Sequence, residues 1–195
     1  MTATPKKLNV LGYALLGLLA RGPQSGYDLA QGLKDPVRFF WYAQHSQIYP
    51  ELAKLETAGL IEHTRVEQIE RPDKKVYHLT THGEKALQIW LQTTTDVPKK
   101  RDELVLKAYS IWLSNPHAAA QMLREHAEIH AAHKQEFEQR LEKLEQKFGK
   151  NIWQPDSPSF GVHAVLRRGI GFETEYEAWC NWMAEALSAS PVPAL

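Results

Sequence analysis

The segment from Ser46 to Lys54 carries side chains that could read the bases of DNA. Its apolar residues Ile48, Leu52 and Leu55 recur at spacings of four and three, which predicts a helix with one buried face. The side chains expected on the opposite face are those of Ser46, Gln47, Tyr49, Glu51 and Lys54. Polar and aromatic groups on an exposed helix can contact base edges in a major groove, and lysines can contact phosphates. On composition alone, a solvated helix face explains these residues equally well.

A basic cluster lies between two short runs of β-type sequence. The runs LIEHTRVEQI and KKVYHLT are rich in β-branched and aromatic residues, and the polar turn ERPD between them predicts a β-hairpin. Arg71, Lys74 and Lys75 are expected at its tip, where cations can contact the DNA backbone. A solvated turn is the alternative interpretation.

Three histidines could in principle hold a metal ion. His126, His130 and His133 lie on one face of a predicted helix, at spacings of four and three. Residues seven apart are separated by about 10.5 Å along a helix axis, whereas zinc–nitrogen bonds measure about 2.0–2.1 Å. One ion could therefore accept two of these side chains but hardly three, and HAEIH lacks the HExxH order of zinc proteases. We interpret them as solvated or interface histidines and predict no metal site.

The sequence lacks recognisable catalytic and nucleotide-binding motifs. G-x-x-x-x-G-K-[ST], G-x-G-x-x-G and G-x-S-x-G do not occur. Paired carboxylates, such as Asp102 with Glu103 and Glu173 with Glu177, fit solvated helix faces. We predict no enzymatic activity and no cofactor.

The composition is that of a folded protein. The chain has 195 residues, of which 43% are apolar and 24% charged, with 23 basic and 23 acidic side chains. Its apolar runs are too short to span a membrane, and the N-terminal run fits an amphipathic helix better than a signal peptide. These features predict a cytoplasmic protein with no membrane partner. Cys180 is the single cysteine, which excludes an intrachain disulfide.

The predicted elements group into two domains. Residues 1–95 contain three helices, the hairpin and a fourth helix, which is the order of a winged helix-turn-helix. The N-caps expected there are Ser25, Ser46 and Thr81. Residues 96–195 are helical throughout by pattern. The predicted fold class is mainly α: an N-terminal winged helix-turn-helix with a small β-hairpin wing, followed by an all-α C-terminal dimerisation domain.

One helix of the second domain is unusually long. Asn115 and Pro116 predict its start, and nothing interrupts it before Gly149, a length of about 50 Å. A domain of this size cannot cover such a helix alone, so we expect its apolar stripe to pack against a second subunit. The stripe consists of Phe137, Leu141, Leu144 and Phe148.

Four segments carry a family resemblance: GYALLGLLARGPQSGYDLAQGL, FWYAQHSQIYPELAKLETAGLI, PDKKVYHLT and RDELVLKAY. They resemble the PadR family of bacterial transcriptional regulators, in particular its phenolic-acid-sensing repressors and members with the virulence-activator type of C-terminal domain. The resemblance spans nearly the whole chain and implies a homodimer whose third helices enter successive major grooves of a palindromic operator in double-stranded DNA. The implied DNA contacts are Ser46, Gln47, Tyr49 and Lys54. Tyr27 is a further candidate for a phosphate contact, or a core tyrosine.

The resemblance also implies a small-molecule effector. Similar repressors release DNA when a phenolic acid such as p-coumarate or ferulate occupies a cleft between the winged helix and the C-terminal helices. The candidate lining residues here are Trp41, Tyr109, Trp112 and His163. Where similar sensors read FGHY, this chain reads Phe160-Gly161-Val162-His163, and a shift of one helical residue rotates the histidine by about 100°. Ordinary core or interface packing is the alternative role for all four side chains.

Two functions therefore remain open from the sequence. The first is a dimeric repressor that a phenolic acid releases from DNA. The second is a helical interaction module, or a regulator or activator that needs no small-molecule ligand. The basic wing and the HSQIY face distinguish a DNA-binding repressor from an interaction module.

Overall fold

A computed structural model describes residues 8–33, 45–67, 73–97 and 101–189. The chain divides into two compact units, 1–96 and 97–195. The first contains α1 (Val10–Leu19), β1 (Gln24–Ser25), α2 (Gly26–Gly32), α3 (His45–Thr57), β2 (Ile61–Val66), β3 (Lys74–Leu79) and α4 (Thr81–Leu91). The second contains α5 (Glu103–Tyr109), α6 (Pro116–Phe148) and α7 (Pro158–Ser188), with short 3₁₀ helices at Ile111–Leu113 and Gly149–Trp153. The predicted fold class, a winged helix-turn-helix followed by an all-helical unit, is confirmed.

The sheet of the first unit has three antiparallel strands. β3 lies in the middle and pairs with β2 from Ile61–Leu79 to Val66–Lys74, which is the predicted hairpin. β1 pairs with the other edge of β3 and was not predicted, because a strand of two residues shows no alternation.

The core of the first unit fixes the orientation of α3. Ile48, Leu52 and Leu55 are buried as predicted, against leucines of α1 and α2. Burying an aliphatic side chain of this size stabilises a fold by about 1.5–3 kcal/mol. This apolar stripe therefore determines which face of α3 stays outside.

Ser25 caps α2 as predicted. Its Oγ accepts a hydrogen bond from the Asp28 backbone N–H, and the Asp28 carboxylate accepts one from the Ser25 N–H in return. This reciprocal capping box holds the turn that leads into α2.

The other two predicted caps are wrong. Thr80, and not Thr81, caps α4, because its Oγ1 accepts from Gly83 N at 3.1 Å while donating to the Gly59 carbonyl at 2.8 Å. In α3 the helix already begins at His45, so Ser46 is a helical residue and not the cap.

In the second unit, α6 begins as predicted, with Asn115 as its cap and Pro116 as its first residue. The expectation that Phe137 packs against a second subunit is wrong. Its side chain is 1% exposed and lies against α7, where a Cβ on Gly169 would come within 2.9 Å of the ring. A second long helix of the same chain, α7, therefore covers this part of the stripe.

A separate core joins α5 to the two long helices. It is built from Leu104, Leu123, Cys180 and the small residues Ala120, Ala127 and Ala184. Across the described ranges, no helix is long and apolar enough to cross a membrane.

Candidate nucleic-acid interface

The outer face of α3 presents most of the predicted DNA-contact residues to solvent. Ser46 and Gln47 are exposed, and the Tyr49 side chain is 47% exposed. Lys54 is exposed one turn further along, with 68% of its side chain accessible. The structure therefore brings an amide, a hydroxyl, a phenol and an ammonium group onto one accessible helix surface.

Glu51, which was expected on this face, is instead 4% exposed. It lies three residues after Ile48 and four before Leu55, so it belongs to the buried stripe by position. Its Oε2 accepts hydrogen bonds from Asn9 Nδ2 at 2.9 Å and from Lys54 Nζ at 3.1 Å. These donors compensate the carboxylate for the hydration it loses on burial.

Asn9 links the start of α1 to α3. Its Oδ1 caps α1 by accepting from Gly12 N at 2.8 Å, while its Nδ2 donates to Glu51. One side chain therefore sets both the start of α1 and the position of α3 relative to it.

We expect Asn9→Ala to lower the free energy of unfolding by about 2 kcal/mol, because it removes a cap and a donor to a buried carboxylate. Urea denaturation followed by circular dichroism measures the loss. Asn9→Ser is the control, since serine retains the capping oxygen but cannot donate an amide to Glu51. Equal stability of Asn9→Ser and wild type would show that the bond to Glu51 contributes nothing.

Tyr27 and Tyr49 lie close to the start of α2. Tyr27 is 62% exposed, which excludes the alternative role of a core tyrosine. The Tyr49 ring packs on the backbone at Gly26, where a Cβ would come within 2.7 Å of Tyr49 Cε1. A glycine at this position therefore allows the ring its observed position.

Lys74 and Lys75 lie at the start of β3, next to the turn of the hairpin, and Lys74 makes an ion pair within the unit. Lys74 opens β3 and pairs with Asp28 of α2, with Nζ and Oδ2 3.3 Å apart. Hydrogen bonds from Ser25, together with this lysine, hold the pKa of the Asp28 carboxyl below its usual range. Lys74 therefore ties the wing to α2. Arg71 lies outside the described residues.

Arg65 is a basic residue of the wing that the sequence reasoning missed. It lies on β2 directly opposite Lys75 on β3, and both side chains are exposed. Like charges at directly opposed positions destabilise a hairpin unless an anion lies between them. The pair is thus suited to binding a phosphate. The exposure of Arg65 could have been predicted from the alternation of β2, which places Arg65 on the same face as His63.

The second unit contains a shallow cleft of about 560 Å³. It is lined by Asp102, Val105, Leu106, Tyr109, Phe172, Glu175 and Tyr176. The Tyr176 hydroxyl donates to both carboxylate oxygens of Asp102, at 2.7 and 2.8 Å. Burial and this hydrogen bond raise the pKa of Tyr176, so its hydroxyl stays protonated and remains a donor.

The predicted effector residues are not brought together in this cleft. Tyr109 lines it, but Trp112 does not and is 77% exposed. His163 is 3% exposed and packs edge-on against Trp153, with ring centroids 4.4 Å apart, and its Nε2 has no hydrogen-bond partner among the described residues. Trp41 lies outside the described residues.

Comparison with known proteins identifies the relatives of this chain. Residues 15–89 match the transcriptional regulator PadR-like family, and residues 100–188 match the virulence activator alpha C-terminal family. The negative transcriptional regulator PadR of Bacillus subtilis (strain 168) is 35% identical over 173 residues, which cover 88% of this chain and 94% of that protein.

The chain belongs to the PadR-like family of transcriptional regulators.

Solved structures of the PadR-like family agree with this assignment. Bacillus subtilis PadR in complex with operator DNA matches with a TM-score of 0.75 and 34% identity, over 92% of this chain and 99% of that one. The same protein in complex with p-coumaric acid matches with a TM-score of 0.70 and 33% identity, over the same shares of the two chains. The family consists of regulators and not of enzymes, which confirms the predicted lack of catalysis.

Proposed function

We propose that this chain is a homodimeric transcriptional repressor that binds a palindromic operator and is released from it by a small phenolic acid. The observation that carries the proposal is the exposed polar and aromatic face of α3. This face belongs to a unit that matches Bacillus subtilis PadR, a protein whose structure with operator DNA is known.

The side chains of α3 suit direct reading of bases. The Gln47 amide can form two hydrogen bonds with the major-groove edge of an adenine. The Ser46 hydroxyl can donate a hydrogen bond to a base edge or accept one from it. Tyr49 offers a ring for the thymine methyl group and a hydroxyl for a phosphate. Tyr27 and Lys54 flank this face as candidates for further phosphate contacts, although Lys54, like Lys74, is also engaged by a carboxylate, that of Glu51.

The wing contributes positive charge that can contact the DNA backbone but does not read the base sequence. Arg65 and Lys75 are exposed and make no ion pair with any carboxylate among the described residues. Two unpaired cations on one face of a hairpin attract the DNA backbone in a salt-dependent manner. Lys74 is engaged by Asp28, so we assign it a smaller share of the phosphate contacts than Lys75.

The apolar surface of the second unit supports a dimer. Large side chains on α5 and the following 3₁₀ helix are exposed by half or more: Val105, Leu106, Tyr109, Trp112 and Leu113. Monomeric proteins rarely leave such a cluster in water. A second copy covering it through a two-fold interface would present two α3 helices to a palindrome.

The chemistry of the cleft supports a phenolic ligand in one orientation. Tyr109, Phe172 and Tyr176 supply aromatic walls. Asp102 and Glu175 can accept a hydrogen bond from a phenol but would repel a carboxylate. We therefore expect the hydroxyl of such a ligand to enter the cleft and its carboxylate to point away from Asp102 and Glu175.

The experiment that tests the proposal is a gel-shift assay on the DNA upstream of the protein's own gene. We expect a specific shifted band, which p-coumarate, ferulate or vanillate abolishes in a titration. A band that none of the three acids affects would contradict the phenolic effector but leave the proposed DNA binding intact. The absence of any specific band, there and in fragments selected from random DNA, would favour an interaction module.

We expect Gly26→Ala to weaken operator binding about tenfold while leaving the free energy of unfolding within about 1 kcal/mol of wild type. The new Cβ displaces the Tyr49 ring, whereas alanine favours the helix by up to about 1 kcal/mol over glycine. Fluorescence anisotropy with labelled operator measures the affinity. In a Tyr49→Ala background the same substitution should have no further effect, and a persisting loss would show that Tyr49 is not the cause.

A further inference from the structure

We propose that His130, His133 and Glu173 form a binding site for a divalent transition-metal ion of the zinc class between α6 and α7. One ligand atom from each side chain lies within 4.8 Å of the other two. The proposal does not depend on DNA binding, because all three residues belong to the second unit.

Two helices supply the ligands. His130 and His133 are three residues apart on α6 and so project from the same side of that helix. Glu173 of α7 faces them, with its Oε2 2.5 Å from His130 Nδ1 and 3.8 Å from His133 Nδ1. The third ligand therefore comes from 43 residues away in sequence, beyond the reach of motif reading.

These distances are close to those of a metal site. Bonds of about 2.0–2.1 Å in a tetrahedral site separate neighbouring ligand atoms by about 3.3 Å. Small rotations of the three side chains would bring the present separations to that value. Imidazole nitrogens with one carboxylate oxygen are a donor set that zinc and related ions accept, and a water molecule can complete it.

Neighbouring side chains hold the proposed metal ligands in place. Glu173 is 7% exposed, and a buried carboxylate needs compensation by hydrogen bonds, a cation or a metal ion. The His130 ring stacks on Tyr176, with centroids 4.1 Å apart, and Tyr176 is held in turn by Asp102. These contacts limit the rotation of the His130 ring. The His133 side chain is 45% exposed and gives an ion access from solvent.

The site would also connect to the cleft described above. Phe172 and Tyr176, which line the cleft, lie on either side of Glu173 along α7. An ion held by Glu173 would therefore fix the section of α7 that forms one wall of the cleft.

Isothermal titration of zinc chloride into tag-free, chelator-treated protein tests the proposal. We expect one ion per chain and an increase in Tm on binding. His133→Ala, at an exposed position, and Glu173→Gln, which preserves shape, should each weaken zinc binding at least tenfold. His126→Ala, one turn earlier on α6, is the matched control and should bind as wild type does.

Cobalt(II) provides a second readout, because its visible absorption distinguishes a protein site of low coordination number from the hydrated ion. We expect these bands in wild type and in His126→Ala, and their loss in His133→Ala. Absence of zinc binding to the wild-type protein would overturn the proposal. Binding that both His133→Ala and Glu173→Gln retain would overturn it as well, since zinc would then occupy other histidines.

Discussion

Replacing Gly83 by alanine is expected to destabilise the winged-helix unit by about 3 kcal/mol or more. A Cβ at this position would lie 2.1 Å from the Leu60 carbonyl oxygen and 2.8 Å from a methyl group of Leu79. The first of these neighbours is a backbone atom of the residue immediately before β2, so it cannot rotate away. Overpacking of this kind typically costs 1–3 kcal/mol, and clashes with backbone lie at the upper end or beyond.

Urea denaturation at fixed protein concentration measures the effect of Gly83→Ala. Gly17→Ala on α1 is the matched control, because a Cβ there meets nothing within 4 Å and alanine favours a helix interior by about 1 kcal/mol. We expect opposite signs for the two substitutions. Equal stability of Gly83→Ala and wild type would mean that α4 does not pack on Leu60 as described.

Replacing Phe137 by alanine is expected to cost the helical unit about 3–5 kcal/mol. The side chain is 1% exposed and fills the space over Gly169, where three ring carbons approach the site of a Cβ to within 2.9–3.1 Å. Truncation removes the transfer free energy of the ring and leaves a cavity between two long helices. Urea denaturation monitored by tryptophan fluorescence at fixed protein concentration gives the change.

A pair of glycine substitutions on α7 tests the same contact from the other side. Gly169→Ala should destabilise, because the new methyl group meets the Phe137 ring. Gly171→Ala should stabilise by about 1 kcal/mol, because no atom lies within 4 Å of its Cβ position. If Gly169→Ala proves as stable as Gly171→Ala, the packing of Phe137 against α7 is wrong.

The helices and the hairpin could be predicted from the sequence because their apolar residues repeat with a clear period. Ile48, Leu52 and Leu55 fixed the buried face of α3, and with it the exposure of Gln47 and Tyr49. Periodicity reports which side of an element is inside, and for α3 this was enough to locate the candidate DNA-contact residues.

Residues whose positions depend on distant partners could not be predicted in this way. Glu51 shares the period of the buried stripe, but its charge favoured an exposed position. In the structure it is buried because Asn9, 42 residues earlier in the chain, donates a hydrogen bond to its carboxylate. Glu173 was interpreted as a solvated carboxylate, yet it is buried against His130. Phe137 was assigned to a partner subunit because the sequence does not show that Gly169 opens a groove on α7.

The claim that two copies of α3 read neighbouring major grooves is tested most directly by footprinting wild-type protein on its operator with dimethyl sulfate, which methylates guanine N7 in the major groove. We predict two protected windows about 10 base pairs apart, related by a palindrome. We also predict that both windows disappear together in Gln47→Ala at protein concentrations that protect fully in wild type. A single window, or two windows that Gln47→Ala leaves intact, would contradict the claim.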